Sequence, residues 1–253
     1  MGSYLNPGNF SFRGSLRSKI YIDKSELIAK TNEVLCTEQK YICVSRPRRF
    51  GKSMAANMLA AYYDRSENTE DLFQNLAIGK DESYKEHLNQ YDVIKINMQE
   101  FLSMSGTMEE MLEMLKKYLV SDFEETYPEV RFRDEKNLIQ IMKDVFSYTK
   151  CPFVILIDEW DCLFREYKQD KEAQRKYLDF LRAWLKDKDY VAMAYMTGIL
   201  PIKKYGSHSA LNMFTEYSMT DPGSLAEYFG FTEQEVFEIC EKYGMSFEKA
   251  KIW

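Results

Sequence analysis

Phe153-Val154-Ile155-Leu156-Ile157-Asp158-Glu159 is a run of five apolar residues ending in two carboxylates. An unbroken apolar run of that length is the pattern of a short strand covered on both faces. Strands of that kind belong to parallel sheets flanked by helices. Ligands of open α/β sheets gather at the carboxyl ends of the strands, so this acid pair falls where chemistry is done. A bare Asp-Glu after a strand also fits the start of a solvated loop, and what lies upstream decides between the two.

Upstream, KYICVS (40–45) is a short β-rich run, and residues 53–64 carry Ala, Leu and Met at helical spacing. Between them runs Ser45-Arg46-Pro47-Arg48-Arg49-Phe50-Gly51-Lys52-Ser53, so the order is strand, basic loop, GKS, helix. A phosphate chain needs backbone N–H groups pointing inward, which a glycine permits, and a helix N-terminus adds a favourable dipole. In a P-loop (Walker A) Lys52 reaches the β- and γ-phosphates and the Ser53 hydroxyl ligates Mg²⁺. The pattern GxxxxGK[ST] wants glycine where Arg46 stands, and GKS alone also fits a helix N-cap serine after a surface lysine. With the acid pair downstream in the right order, the P-loop reading is favoured. Asp158 then holds Mg²⁺ through water and Glu159 polarises the attacking water, the Walker B roles.

Other candidates carry two readings each. Asp161 caps a helix over 162–167 or offers a second metal contact, and the cap is preferred. Thr197 ends the next expected strand before Gly198, at the place of a polar γ-phosphate sensor, or is a turn threonine. Asn97 ends the strand YDVIKIN and either holds Glu159 away from water or is satisfied by backbone; the latter is preferred. Arg48, Arg49 and Arg182 are candidates for transition-state charge, against the ordinary reading of solvated arginines.

The remaining pattern is alternating. Residues 1–14 are Gly- and Ser-rich and read as a surface loop. Residues 24–31 read as a short helix capped by Asp23. Residues 91–98, 190–196 and 214–219 read as strands, and 107–119, 177–185 and the tail from Ser224 as helices. The methionines of 107–119 fit a core stripe better than a partner groove.

The 253 residues suffice for one α/β domain with a sizeable core, or a domain with a small appendage. At 45% hydrophobic and 29% charged, the composition is not that of a disordered chain. No apolar run approaches a membrane span, and 1–14 holds no signal-peptide core, so cytoplasmic residence is the default expectation. A net charge of −6 argues against a surface built wholly to grip nucleic acid. Five cysteines without CxxC spacing, beside two histidines, give no zinc pattern and read as reduced thiols.

With these motifs in place, the chain resembles the bacterial predicted AAA-ATPase-like family, whose members often carry a C-terminal PD-(D/E)XK nuclease-like domain. The matching pieces are YIDKSELI (21–28), SRPRRFGKSM (45–54), DLFQNLAI (71–78), YDVIKINM (91–98), ILIDEWD (155–161), MTGIL (196–200) and FGFTEQEV (229–236). RPRRFGKS is that family's form of the loop, so Arg46 agrees with the resemblance. The loop is also similar to the GPRRxGK loop of archaeal ATPases in the STAND-related group. The resemblance implies an α/β P-loop NTPase with an additional-strand catalytic-Glu (AAA/STAND-like) core. Its parallel sheet would have order 5-1-4-3-2, flanked by helices. It further implies a core over 1–222 and the start of a helical or winged-helix lid over 223–253. The implied nucleotide contacts are Arg46, Pro47, Arg48, Arg49, Phe50, Gly51, Lys52, Ser53 and Met54, with Tyr21 and Ile22 near the adenine. Family members usually continue past this length, and no PD…(D/E)xK pattern occurs here. A truncated chain or a short member is therefore expected, with the nuclease-like effector and its nucleic-acid contacts outside it.

Three functions compete. The leading one is Mg-dependent ATP binding and hydrolysis with Glu159, Lys52 and Thr197 as catalytic residues, ATP and Mg²⁺ as cofactors, and self-association that supplies an arginine in trans. The module would drive or regulate the absent effector. The alternative is a nucleotide-binding regulatory module without turnover. A small-molecule kinase is disfavoured, because Glu159 directly after Asp158 suits water activation better than transfer to an acceptor.

Overall fold

In the computed structural model, which describes residues 2–202 and 210–252, the apolar runs pair side by side. The strands are β1 (Tyr41–Ser45), β2 (Asp92–Asn97), β3 (Phe153–Asp158), β4 (Val191–Gly198) and β5 (Thr215–Tyr217). Every pairing between them is parallel, and from the β5 edge the order is 5-1-4-3-2, as the resemblance implies. In chain order the helices are α1 (Phe10–Leu16), α2 (Glu26–Asn32), α3 (Lys52–Tyr63), α4 (Glu70–Phe73), α5 (Tyr84–His87), α6 (Met98–Ser103), α7 (Met108–Thr126), α8 (Leu138–Thr149), α9 (Cys162–Glu166) and α10 (Lys171–Leu185). A tail follows β5, with a 3-10 turn over Gly223–Tyr228 and helices Glu233–Tyr243 and Phe247–Ala250. Among the described residues no helix is long and apolar enough to cross a membrane.

β3 is buried at every residue. Because side chains alternate across a strand, it feeds two cores. Phe153, Ile155 and Ile157 meet Leu115 and Phe123 of α7, Ile141 of α8 and Trp184 of α10. Val154 and Leu156 join the opposite core with Leu27 and Ile28 of α2 and Leu59 and Tyr62 of α3. Four buried alanines, Ala55, Ala56, Ala60 and Ala61, give α3 a slim face against the sheet. The α7 methionines Met108 and Met111 are buried in the first core, as the helical spacing suggested.

Three local readings change. The opening segment is not a surface loop. Leu5 is fully buried and bridges antiparallel to Ile94, with Lys95 N donating to Tyr4 O and Asn6 N to Val93 O. Asp122 Oδ2 accepts from Tyr4 N and Leu5 N. The reason is the open edge of β2, whose backbone groups need partners that three residues of strap supply. Helix α2 begins at Glu26, because Asp23 is turned to Ser25 N and Ala77 N rather than capping a helix at residue 24. Helix α8 had no counterpart in the sequence reading.

Leu5→Ala is expected to cost about 2–5 kcal/mol, the range for a buried leucine, measured by urea unfolding. A loss near zero would return the strap to the status of a surface loop.

Candidate functional site

The register sets Ser45 beside Gly198 and Asn97 beside Asp158, so four strands end at one edge of the sheet. The β1–α3 loop leaves that edge from Ser45. It turns sharply enough to need positive φ at Arg49 (69°) and Gly51 (80°), and Gly51 occupies the N-cap position of α3. Glycine takes that conformation without strain, whereas Arg49 takes it at a cost. Lys52 folds back into the loop, 6% exposed, and its Nζ donates to Arg46 O (3.0 Å) and Pro47 O (2.9 Å). Burial pulls the ammonium's pKa down, while the carboxylates of Glu159, Asp158 and Asp161 act the other way.

Asp158 stands at the centre. Its Oδ2 accepts from Ser53 Oγ at 2.5 Å and its Oδ1 from Thr197 Oγ1 and from Glu159 N. Trp160 N donates to Thr197 O (3.1 Å), so the turn after β3 and the end of β4 are stitched together twice. Among the described residues no group of three or more His, Cys, Asp or Glu side chains converges as a metal site. A serine hydroxyl against one carboxylate is instead a fitting donor set for Mg²⁺, which takes few protein oxygens and completes its shell with phosphate and water.

Asp161 is not the side-chain cap that the sequence favoured. It occupies the N-cap position of α9 without a side-chain cap bond. Its Oδ2 accepts from Ile199 N (3.1 Å) and Leu200 N (2.8 Å), fixing the chain that leaves β4. Two backbone donors outcompete one cap, and the carboxylate faces protein on all sides. Gly198 beside it has no room for a side chain. A Cβ there would lie 2.7 Å from Trp160 Nε1 and 2.8 Å from Asp161 Oδ1.

Glu159 has φ +55°, an unusual conformation for a non-glycine residue. Its carboxylate is paired with Arg165 NH2 at 2.5 Å. The same amino group reaches Gln99 Oε1 (3.3 Å), and Arg165 Nε lies 3.6 Å from Asp161 Oδ2. Asn97 instead accepts from Gln99 N and caps α6, the backbone-satisfied reading. Arg165 escaped the sequence reading; its spacing of four residues from Asp161 was the available signal.

Beside the loop lies a pocket walled by Tyr21, Ile22, Arg49, Phe50, Gly51 and Met54 on one side and by Tyr228, Gly230 and Phe231 of the tail on the other. Tyr21 and Met54, singled out from the resemblance, therefore meet here. Pro47, Arg48 and Arg182 are exposed. Arg46 is not: its side chain runs away from the loop's mouth toward β5, 2% exposed.

A family model described as a predicted AAA-ATPase matches residues 12–207, and the chain belongs to that family. No curated protein matches it in sequence. Solved structures with a similar outline include C. elegans PCH-2, at 15% identity and TM-score 0.40, covering 96% of this chain and 51% of that one. A DNA replication initiation factor follows at 13% identity and TM-score 0.37, with 92% and 55% covered. The Aeropyrum pernix ORC1 protein in complex with DNA has 13% identity and TM-score 0.41, with 96% and 55% covered. The chain thus spans about half the length of each.

A double-mutant cycle on stability between Arg165→Ala and Glu159→Gln is expected to show coupling of about 0.5–3 kcal/mol, with Asn97→Ala and Glu159→Gln simply additive. The opposite pattern would make Asn97 the partner of Glu159.

Proposed function

We propose that this member of the predicted AAA-ATPase family binds ATP with Mg²⁺ at the β1–α3 loop and hydrolyses it, as a module that drives or regulates a C-terminal effector. The observation that carries this is the double use of Asp158, one oxygen bonded to Ser53 beside Lys52 and the other to Thr197. Those are the contacts that a triphosphate and its cation would share out.

In this reading the amides of the loop and the first turn of α3 receive the phosphates. Lys52 exchanges two carbonyl partners for phosphate oxygens, and its net gain is the charge it meets there. Ser53 and Asp158 would hold Mg²⁺, which when bound screens the phosphate charge. Thr197, bonded to Asp158, would sense the γ-phosphate. Glu159 accepts the proton of the attacking water, which requires its carboxylate to leave Arg165. Tyr21, Ile22, Tyr228 and Phe231 would enclose the base. The tail from Gly223 is then the start of a lid over it. Nucleic-acid contacts belong in this reading to the nuclease-like effector, and a second copy of the chain supplies the trans arginine.

The second reading is a nucleotide-binding regulatory module without turnover. The ion pair between Arg165 and Glu159 favours it, since a carboxylate held by a guanidinium does not polarise water. Phosphate release separates the two. Glu159→Gln is expected to lower turnover by about 10²-fold or more while ATP binding persists. Wild-type protein that binds ATP and releases no phosphate, with Glu159→Gln indistinguishable from it, would establish the static binder.

A further inference from the structure

Arg46 stands where the phosphate-loop pattern has glycine, and its placement gives it a task of its own. Its carbonyl accepts from Lys52 Nζ, the group aimed at phosphate. Its guanidinium faces the other way. There NH1 donates to Tyr217 O (2.6 Å), the last residue of β5, and to Ser45 O (3.2 Å). The guanidinium carbon lies 5.6 Å from the centre of the Phe229 ring. NH2 is buried and has no hydrogen-bond partner among the described residues. A buried cation with an unmet donor is costly, so β5 and Phe229 offset that cost only while they remain in place.

Four residues on, the loop grips the same part of the tail again. Gly230 N donates to Phe50 O (3.1 Å). Gly230 has φ +76°, a conformation that favours glycine, and a Cβ there would lie 3.0 Å from the Phe50 ring, tight against it. The loop and residues 228–231 are thus fastened at two points, and both line one pocket. A ligand filling that pocket meets both walls only when the tail is docked, so it binds the docked state in preference.

We propose that Arg46 is a positioning residue that couples the phosphate loop to the tail, so that nucleotide occupancy and docking of residues 228–243 stabilise each other. This rests on the nucleotide-binding reading of the loop. Coupling of this kind is reciprocal: whatever factor the nucleotide gives to docking, docking gives to the nucleotide.

The test is hydrogen exchange on the full chain with and without saturating Mg·ADP, with ADP affinity measured on the same samples. In wild type, ADP is expected to slow exchange of the 228–243 amides by about fivefold or more. In Arg46→Ala that slowing is lost and ADP binds weaker by a similar factor, with Arg46→Lys intermediate. Gly230→Ala, which breaks the fastening from the tail side, gives the same pair of losses, and it carries the test if Arg46→Ala fails to fold. ADP binding to wild type with no slowing in the tail overturns the coupling alone, as does equal slowing in both variants and wild type. Failure of folded wild type to bind ADP overturns the nucleotide reading and this inference together.

Discussion

Asp158 is a carboxylate at the end of a strand buried on both faces, and both of its oxygens are engaged. Ser53 at the start of α3 donates to one, and Thr197 at the end of β4 to the other. A charge in that position is tolerable only because it is hydrogen-bonded on each side. The consequence is mechanical. The loop after β1, the turn after β3 and the end of β4 are three separate stretches of chain, and this one side chain holds them in register. Asp161 extends the same arrangement by fixing Ile199 and Leu200. Displacement of any of the three stretches would leave a buried acceptor or donor unpaired.

From that constraint follow the tensions in the site. Lys52 turns back onto its own loop, where its ammonium donates to two carbonyls. Glu159 carries a left-handed backbone and a carboxylate bound to Arg165. In the proposed function both arrangements change when a phosphate chain arrives, and the left-handed backbone of Glu159 is the kind of local strain that collects at functional sites. The tail, fastened to Arg46 and Phe50, closes the pocket on its second side.

Much of this was legible in the sequence. Residues 153–157 read as a strand buried on both faces, and β1 and β3 end at Ser45 and Asp158 as their apolar runs suggest, while β4 runs one residue past Thr197, to Gly198. Helix α8 was missed, although Leu138, Ile141, Met142 and Val145 repeat at helical spacing behind Asn137. Its short apolar stripe follows the charged stretch 129–136, which hides it. Other features were beyond reach for physical reasons. The bridge at Leu5 is a three-residue contact with no period of its own. The pairing of Glu159 with Arg165 rather than Asn97 depends on how α9 is turned. The direction of the Arg46 side chain depends on where β5 and Phe229 end up, and no local pattern encodes that.

In the proposed function, the loop ending in Gly51, Lys52 and Ser53 is the seat of a nucleoside triphosphate. This is tested most directly by calorimetric titration of Mg·ATP into the purified chain, with Lys52→Ala alongside. Wild type is expected to bind in the micromolar range, and Lys52→Ala to lose that binding while remaining folded. Equal binding by Lys52→Ala, or none by folded wild type, would contradict that function.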